Sequence, residues 1–297
     1  MCRTQYAKYG GYGACRHHQI PVDLNGGSPV RPWAIAFLGA ILSLSIETSI
    51  NRADASNIRL EIMGRCLGLK GEPAIKACTS VIQSPRAWPS EIAMAHATRG
   101  WLYIHGGRVQ KDDDASAVFQ SWGGDNGRRA AADFDQAIAL DPSVAPEAFA
   151  CRGFYSFLSG KPESAVDDFT HAINLNPPKG ILCNSLLQRA YNYQLLSMIK
   201  SESTQRDLSI EDFSQVIRLC PEKKIQSLAF MGRAQLYRLH KHQYDLAIDD
   251  LTAAIRINPR DSQAFYDRAL AEKELGRIVD AERDIQAARR IDPSIGN

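Results

Sequence analysis

The sequence predicts an all-α fold, a right-handed solenoid of about five to six stacked helical hairpins. Two observations carry this. Five short segments end alike, at Asp141-Pro142, Asn176-Pro177, Cys220-Pro221, Asn258-Pro259 and Asp292-Pro293. Each closes an apolar stretch of helical period, and the intervals Pro142–Pro177 and Pro259–Pro293 are 35 and 34 residues. A period near 34 belongs to helix-turn-helix arrays, in which each unit buries its apolar face only by stacking on its neighbours.

The segment Ala148–Pro177 is the clearest unit. Its first helix carries Phe149, Arg152, Gly153 and Ser156, and a turn follows at Ser159-Gly160-Lys161-Pro162. Pro162 suits the first turn of the second helix, where an absent N–H costs nothing. That helix presents Ala165, Phe169, Ala172 and Ile173 as one stripe. Gly153, Ala165 and Ala172 let two helices approach, and Phe169 fills the gap between them. The layout recurs as Ala234, Ala247, Leu251, Ala254 and Pro259, with one extra residue in the turn, and as Ala269, Ala281, Ile285, Ala288 and Pro293.

These residues resemble the tetratricopeptide repeat (TPR). Phe149, Gly153, Ala165, Phe169, Ala172 and Pro177 follow its pattern in order, as do Phe265, Ala269, Ala281, Ala288 and Pro293. The resemblance spans about residues 57–297 and is strongest in Pro146–Pro177 and from Leu228 onward. Two units depart from it. In Cys183–Pro221, Ser209 replaces an alanine, and Met198–Asp207 reads as a turn about seven residues too long. In Ile92–Pro142, Arg99-Gly100-Trp101 and Tyr103 mark the first helix, and Ala130, Phe134 and Ala137 the second. Between them an insertion over 109–129 reads as a loop that includes Lys111–Asp114 and Gly123–Gly127. Asn57–Pro85 reads as a degenerate hairpin (56–90 as a unit) turning at Gly71-Glu72-Pro73, ahead of the array over 91–297.

Residues 1–56 stand apart. Arg31-Pro32-Trp33 leads into Ala34–Ile46, thirteen residues without a charge, followed by Ala53-Asp54-Ala55. A basic flank, a short apolar core and an A-x-A site describe a signal peptide over 30–55, cut after Ala55. The apolar run falls short of the ~20 residues of a membrane span; an uncleaved anchor over 34–50 is the alternative. Residues 1–29 are read as lying upstream of a true start near Val30. The expected location is periplasmic or secreted, of a bacterial type, with inner-membrane anchoring as the alternative.

Five of the 35 basic and three of the 33 acidic residues precede Ser56, which leaves the remainder balanced. Balance argues against a nucleic-acid surface, which needs a basic stripe. Cys66 and Cys78 flank one turn, so an antiparallel pair of helices can bring them together; in an exported protein a disulfide is one reading of the pair, and two small buried thiols are the other. Cys151, Cys183 and Cys220 are expected to fill space as small hydrophobes.

Catalytic and ligand motifs are missing: no H-E-x-x-H, no phosphate-cradling loop, no C-x-x-C and no G-x-S-x-G elbow. Lys111–Asp114 lacks the spacing of a calcium loop, and His240-Lys241-His242 reads as a solvated turn. No cofactor, metal, small-molecule substrate or catalysis is expected. The resemblance implies binding on the concave face, lined by the first helix of each hairpin. Carried over position by position, that face holds Met94, Trp101, Ile104, Phe154, Phe157, Leu187, Tyr191, Met231, Gln235 and Tyr266. Where chaperone-binding TPR domains hold a peptide carboxylate with Lys and Asn, this chain has Ala97, Trp101, Ala150 and Phe154, so that clamp is not expected. The expected role is a scaffold that takes a peptide or amphipathic helix of another protein. An accessory subunit completing a partner's site and a helical-repeat RNA binder are the other readings.

Overall fold

The computed structural model describes residues 61–105, 124–144 and 146–296. The leader, the signal segment and residues 109–123 of the insertion lie outside the described residues. Within them the protein is helical throughout, with twelve helices and no strand: α1 (61–68), α2 (Gly71–Ile82), α3 (Pro89–His105), α4 (Asp125–Leu140), α5 (Pro146–Leu158), α6 (Pro162–Asn174), α7 (Lys179–Lys200), α8 (Ser203–Leu219), α9 (Lys223–Leu236), α10 (Tyr244–Ile257), α11 (Ser262–Glu274) and α12 (Ile278–Ile291). Each helix packs on the next, as hairpins α3/α4, α5/α6, α7/α8, α9/α10 and α11/α12 behind the α1/α2 pair.

The recurring X-Pro pairs end the second helices. The residue before a proline is pushed toward extended backbone by the ring's Cδ, and Asp141, Cys220, Asn258 and Asp292 all adopt φ between −154° and −94° with ψ of 88–124°. The turns inside hairpins use left-handed residues. Gly160 (φ 75°) and Gly276 (φ 72°) close α5 and α11. There the amides of Lys161 and Gly160 donate to Ser156 and Phe157, the paired bonds of a Schellman end.

Irregular sequence is absorbed as helix. The long stretch Met198–Asp207 is not a loop: α7 continues to Lys200, α8 starts at Ser203, and only Ser201 and Glu202 turn the chain, with Ser201 left-handed (φ 57°). The extra residue after Ala234 forms a π-helical turn over Tyr237–Lys241 that ends at left-handed His242. An inserted residue inside a helix has this outcome when both flanks are fixed by packing. Residues 125–129, assigned to the insertion from sequence, form the start of α4. Gly71-Glu72-Pro73 opens α2, so the turn precedes it.

Four apolar clusters follow one another along the array and hold the stripe residues of the earlier hairpins; Ala269, Ala281 and Ala288 of the last are buried as well. Phe134, Phe169, Phe213 and Leu251 are buried at equivalent places, surrounded by Ala130, Ala165, Ala190 and Ala247. Of the two readings of Cys66 and Cys78 the structure has the disulfide, with Cα atoms 4.6 Å apart. The expectation for the other cysteines is corrected. Cys183 and Cys220 form a second disulfide, Cα atoms 5.8 Å apart, that ties the start of α7 to the end of α8. Cys151 is disulfide-bonded as well. Spacing hid the second bridge because its two halves are 37 residues apart and meet only when the hairpin closes.

A charged ladder runs through all five complete hairpins. Arg99, Arg152, Arg189, Arg233 and Arg268 on the first helices each make a two-pronged bond, 2.6–3.0 Å, to Asp133, Asp168, Asp212, Asp250 and Asp284 on the second. The remaining Nη1 of each arginine donates to the preceding pair's second helix, at Thr79, Asp135, Thr170, Ser214 and Thr252. The guanidinium is therefore a joint between three helices. Ring faces cover it: Phe149, Phe230 and Phe265 precede their arginines by three residues and lie 5.6–5.9 Å from them. Burial pushes the Asp133 carboxyl up, but hydrogen bonds from Arg99 and His96 outweigh it and hold the group below its ordinary value. At Asp168, Asp212 and Asp250 burial wins over a single arginine and the carboxyl rises.

Close approach fixes where the glycines stand. A Cβ built on Gly232 would lie 2.4 Å from Cζ of the buried Phe213 ring, whereas one on Gly64 would meet nothing within 4 Å. Gly232→Ala is therefore expected to cost about 1–3 kcal/mol through overpacking, and Gly64→Ala to leave the thermal midpoint nearly unchanged. Equal midpoints for the two variants would contradict this packing.

Candidate functional site: the concave groove

The resemblance to TPR arrays assigns the concave face to the first helices α3, α5, α7, α9 and α11. The ten residues assigned to that face divide into two sets. Met94, Trp101, Phe157, Gln235 and Tyr266 are partly exposed. Ile104, Phe154, Leu187, Tyr191 and Met231 are buried, so the expectation that they present an open surface is corrected. Periodicity places a residue on a helix face but does not say how deeply the neighbouring helix covers it.

The buried members have packing roles. Ile104 and Phe154 belong to the cluster of the first two complete hairpins, and Phe154 stands 6.2 Å from Phe157, ring to ring. Leu187 and Tyr191 belong to the next cluster. Tyr191 meets Phe213 edge to face at 5.1 Å, and its hydroxyl donates to the Leu228 carbonyl at 3.1 Å, linking α7 to α9. Met231 packs with Ala234 and Leu251. Trp101 bridges two clusters and remains half-buried. Tyr266 has the terminal turn against its ring, since a Cβ on Gly296 would lie 2.7 Å from it.

The two ends of the groove differ chemically. Toward the amino end stand Met94, Ala97, Trp101 and Phe157. Toward the carboxyl end, Gln194 Nε2 donates to Gln235 Oε1 at 3.3 Å across α7 and α9. Gln263 Nε2 donates to Asp267 Oδ1 at 3.0 Å. Asp267 escaped sequence reasoning, and its signal is comparative. The matching residue of the other hairpins is Thr98, Cys151, Gln188 or Gly232, none of them charged. It is 4% exposed, and its Oδ2 has no hydrogen-bond partner among the described residues. Burial pushes its carboxyl above the ordinary value, against the opposing pull of Gln263 and Arg238.

These features define the class as a TPR-like helical solenoid. No family model matches the chain. Over 111 residues it is 32% identical to tetratricopeptide repeat protein 36 of Bos taurus, covering 35% of this chain and 56% of that one. Over 92 residues it is 27% identical to protein unc-45 homolog B of Xenopus tropicalis, covering 31% of this chain and 10% of that one. The chain thus spans about a tenth of the length of the latter relative and about half of the former. The crystal structure of BtubC (BKLC) from P. vanneervenii superposes with a TM-score of 0.50 over 75% of this chain and 91% of that one, at 14% identity. That likeness concerns the fold.

Asp267 offers a test of the groove's electrostatics. A carboxyl whose folded pKa is raised binds its proton more tightly folded than unfolded. Its stabilising share is therefore present below the unfolded value near 4 and is lost as pH rises through the folded one. Asp267→Asn is expected to stabilise the protein at pH 7, by about 1 kcal/mol on the scale of one unmet buried polar group, with the gain shrinking toward pH 4. Denaturant midpoints at the two pH values measure it; a loss of stability at pH 7 would show that the charge is well compensated.

Proposed function

We propose that this protein is a non-catalytic interaction scaffold that binds a peptide or amphipathic helix of a partner protein in its concave groove. The observation that carries this is a set of large side chains, Met94, Trp101, Phe157 and Tyr266, left partly exposed on the first helices. Aromatic anchors in a concave surface supply most of the energy of such contacts. The contrast between the ends argues for a ligand with one apolar and one polar stretch. The test is crosslinking in cells of the tagged full chain beside Trp101→Ala/Phe157→Ala/Tyr266→Ala. One protein captured by the wild type and lost with the variant is the expected result. Equal capture by a folded variant would remove the groove from the reading.

We further infer that the protein works in an oxidising compartment outside the cytoplasm. The support is the pair of buried disulfides, Cys66–Cys78 and Cys183–Cys220, within the array, since such bonds persist where thiols are not kept reduced. The apolar run Ala34–Ile46 with Ala53-Asp54-Ala55 accords with export. Acid quenching of cells, followed by denaturation without reductant, alkylation and peptide mapping, is expected to find these four cysteines unlabelled. Four labelled thiols would overturn the assignment.

A further inference from the structure

The chain's near-balance of charge conceals an uneven distribution. In each hairpin the first helix begins, and the second ends, at the same edge of the solenoid. In the hairpins α7/α8, α9/α10 and α11/α12 that edge is basic. Arg218, Arg256, Arg289 and Arg290 stand in the last turns of α8, α10 and α12. Lys179, Lys223 and Lys224 open α7 and α9, and Arg260 lies in the turn between α10 and α11. All eight are exposed. Against them the same tips carry three carboxylates, Glu222, Asp261 and Asp292. Asp261 is committed to capping α11 through the amides of Gln263 and Ala264, and Asp292 bonds Ser294.

The opposite edge, where hairpins turn, is not basic. Lys200 pairs with Glu163 and Arg277 with Asp245, and the remaining tips mix both signs. None of the eight cations makes an ion pair among the described residues. Helix ends account for part of the pattern, because cations in a last turn complement the negative carboxyl end of a helix. They do not account for Lys179, Lys223 and Lys224, which sit in first turns, where the helix dipole disfavours positive charge.

We propose that this basic edge docks the array on an anionic phospholipid surface. Three observations choose that occupant. The cations are long, make no ion pair among the described residues and are spread over the tips of three successive hairpins, which suits a diffuse field of phosphates. Leu219 and Ile291 stand among them, each 38% exposed, and give the edge the aliphatic-plus-basic character of interfacial segments. Among the described residues the rings nearest these tips are already engaged, Phe265 by the Arg268 guanidinium and Tyr266 by the terminal turn at Gly296, so they do not form the open stacking platform that single-stranded nucleic acid uses. The edge is separate from the concave groove, so a docked array keeps that groove open to a partner.

The test is co-sedimentation of the full chain with phosphatidylcholine vesicles, with and without about a third phosphatidylserine. Binding to the anionic vesicles alone is expected, weakening steeply between about 0.05 and 0.2 M salt as exposed charges are screened. Each surface cation contributes about a fivefold factor in affinity. The variant Lys223→Gln/Lys224→Gln/Arg256→Gln/Arg260→Gln is therefore expected to bind more than a hundredfold less tightly. Lys161→Gln/Lys200→Gln, on the opposite edge, should bind as wild type does, and both variants should keep the wild-type far-ultraviolet melting curve. Equal binding to neutral vesicles, salt-independent binding, or undiminished binding by the folded four-site variant would each overturn the proposal. Tighter binding to polyuridylate than to anionic vesicles would also overturn it and assign the edge to nucleic acid.

Discussion

The arginine that joins three helices is the interaction on which the rest of this structure depends. Each of the five grips a buried aspartate of its own hairpin with two nitrogens and reaches the previous second helix with a third. Burying a carboxylate and a guanidinium carries a desolvation cost that pairing only roughly offsets. The net gain in stability from such a pair is therefore modest, and its larger effect is on geometry. A bidentate fork tolerates little rotation or sliding, so it fixes the register within each hairpin and the stacking of each hairpin on the last. The ring beneath most of these guanidinium groups limits the alternatives further.

Fixed register explains how the array accommodates irregular sequence. The ladder residues Arg189 and Asp212 are 23 positions apart, against 16 or 17 in α5/α6, α9/α10 and α11/α12. The additional length emerges as longer α7 and α8 beyond the packed zone, where Met198 and Ile199 end up exposed. The single extra residue in the next hairpin becomes a π-helical turn. Small residues complete the constraint from the apolar side. Gly100, Gly153, Ala190, Ala234 and Ala269 directly follow the ladder arginines, so the close helix contact and the ion pair occur at one level. Among the described residues the α1/α2 pair has no ladder of its own. Its disulfide supplies a covalent tie there, and Thr79 receives the first arginine.

The same architecture sorts side chains into surfaces with separate properties. The first helices grade from aromatic to amide-rich, one edge gathers cations that make no ion pair among the described residues, and the other carries apolar turns such as Leu239, Ile278 and Val279. A chain with balanced charge can therefore present strongly polarised faces, because helix ends recur at the same edge every 34 or so residues. Asp267 shows the converse case, a charge set where the repeat elsewhere has neutral groups. It lies beside the groove rather than in the ladder, although it adjoins Arg268 in sequence, because neighbouring residues on a helix face in different directions.

The sequence by itself determined the helical class, the hairpin count, the regular boundaries and the closeness of Cys66 and Cys78 around one turn. Each of these is local: proline before a helix end, small residues at helical spacing, two cysteines around one turn. It also held the ladder in plain view, as Arg-Gly or Arg-Ala in first helices and Asp-Phe, Asp-Leu or Asp-Ile in second ones, yet charged residues on a helix read as solvated until a partner is placed opposite. Tertiary structure alone decided the Cys183–Cys220 bond, the helical outcome of the long turn, and which groove residues are covered. Phe154 and Tyr191 share a face with Trp101 and Tyr266, yet the first two are buried and the last two partly exposed. Burial depends on the separation and tilt of elements far apart in the chain, and no periodicity within one helix records it.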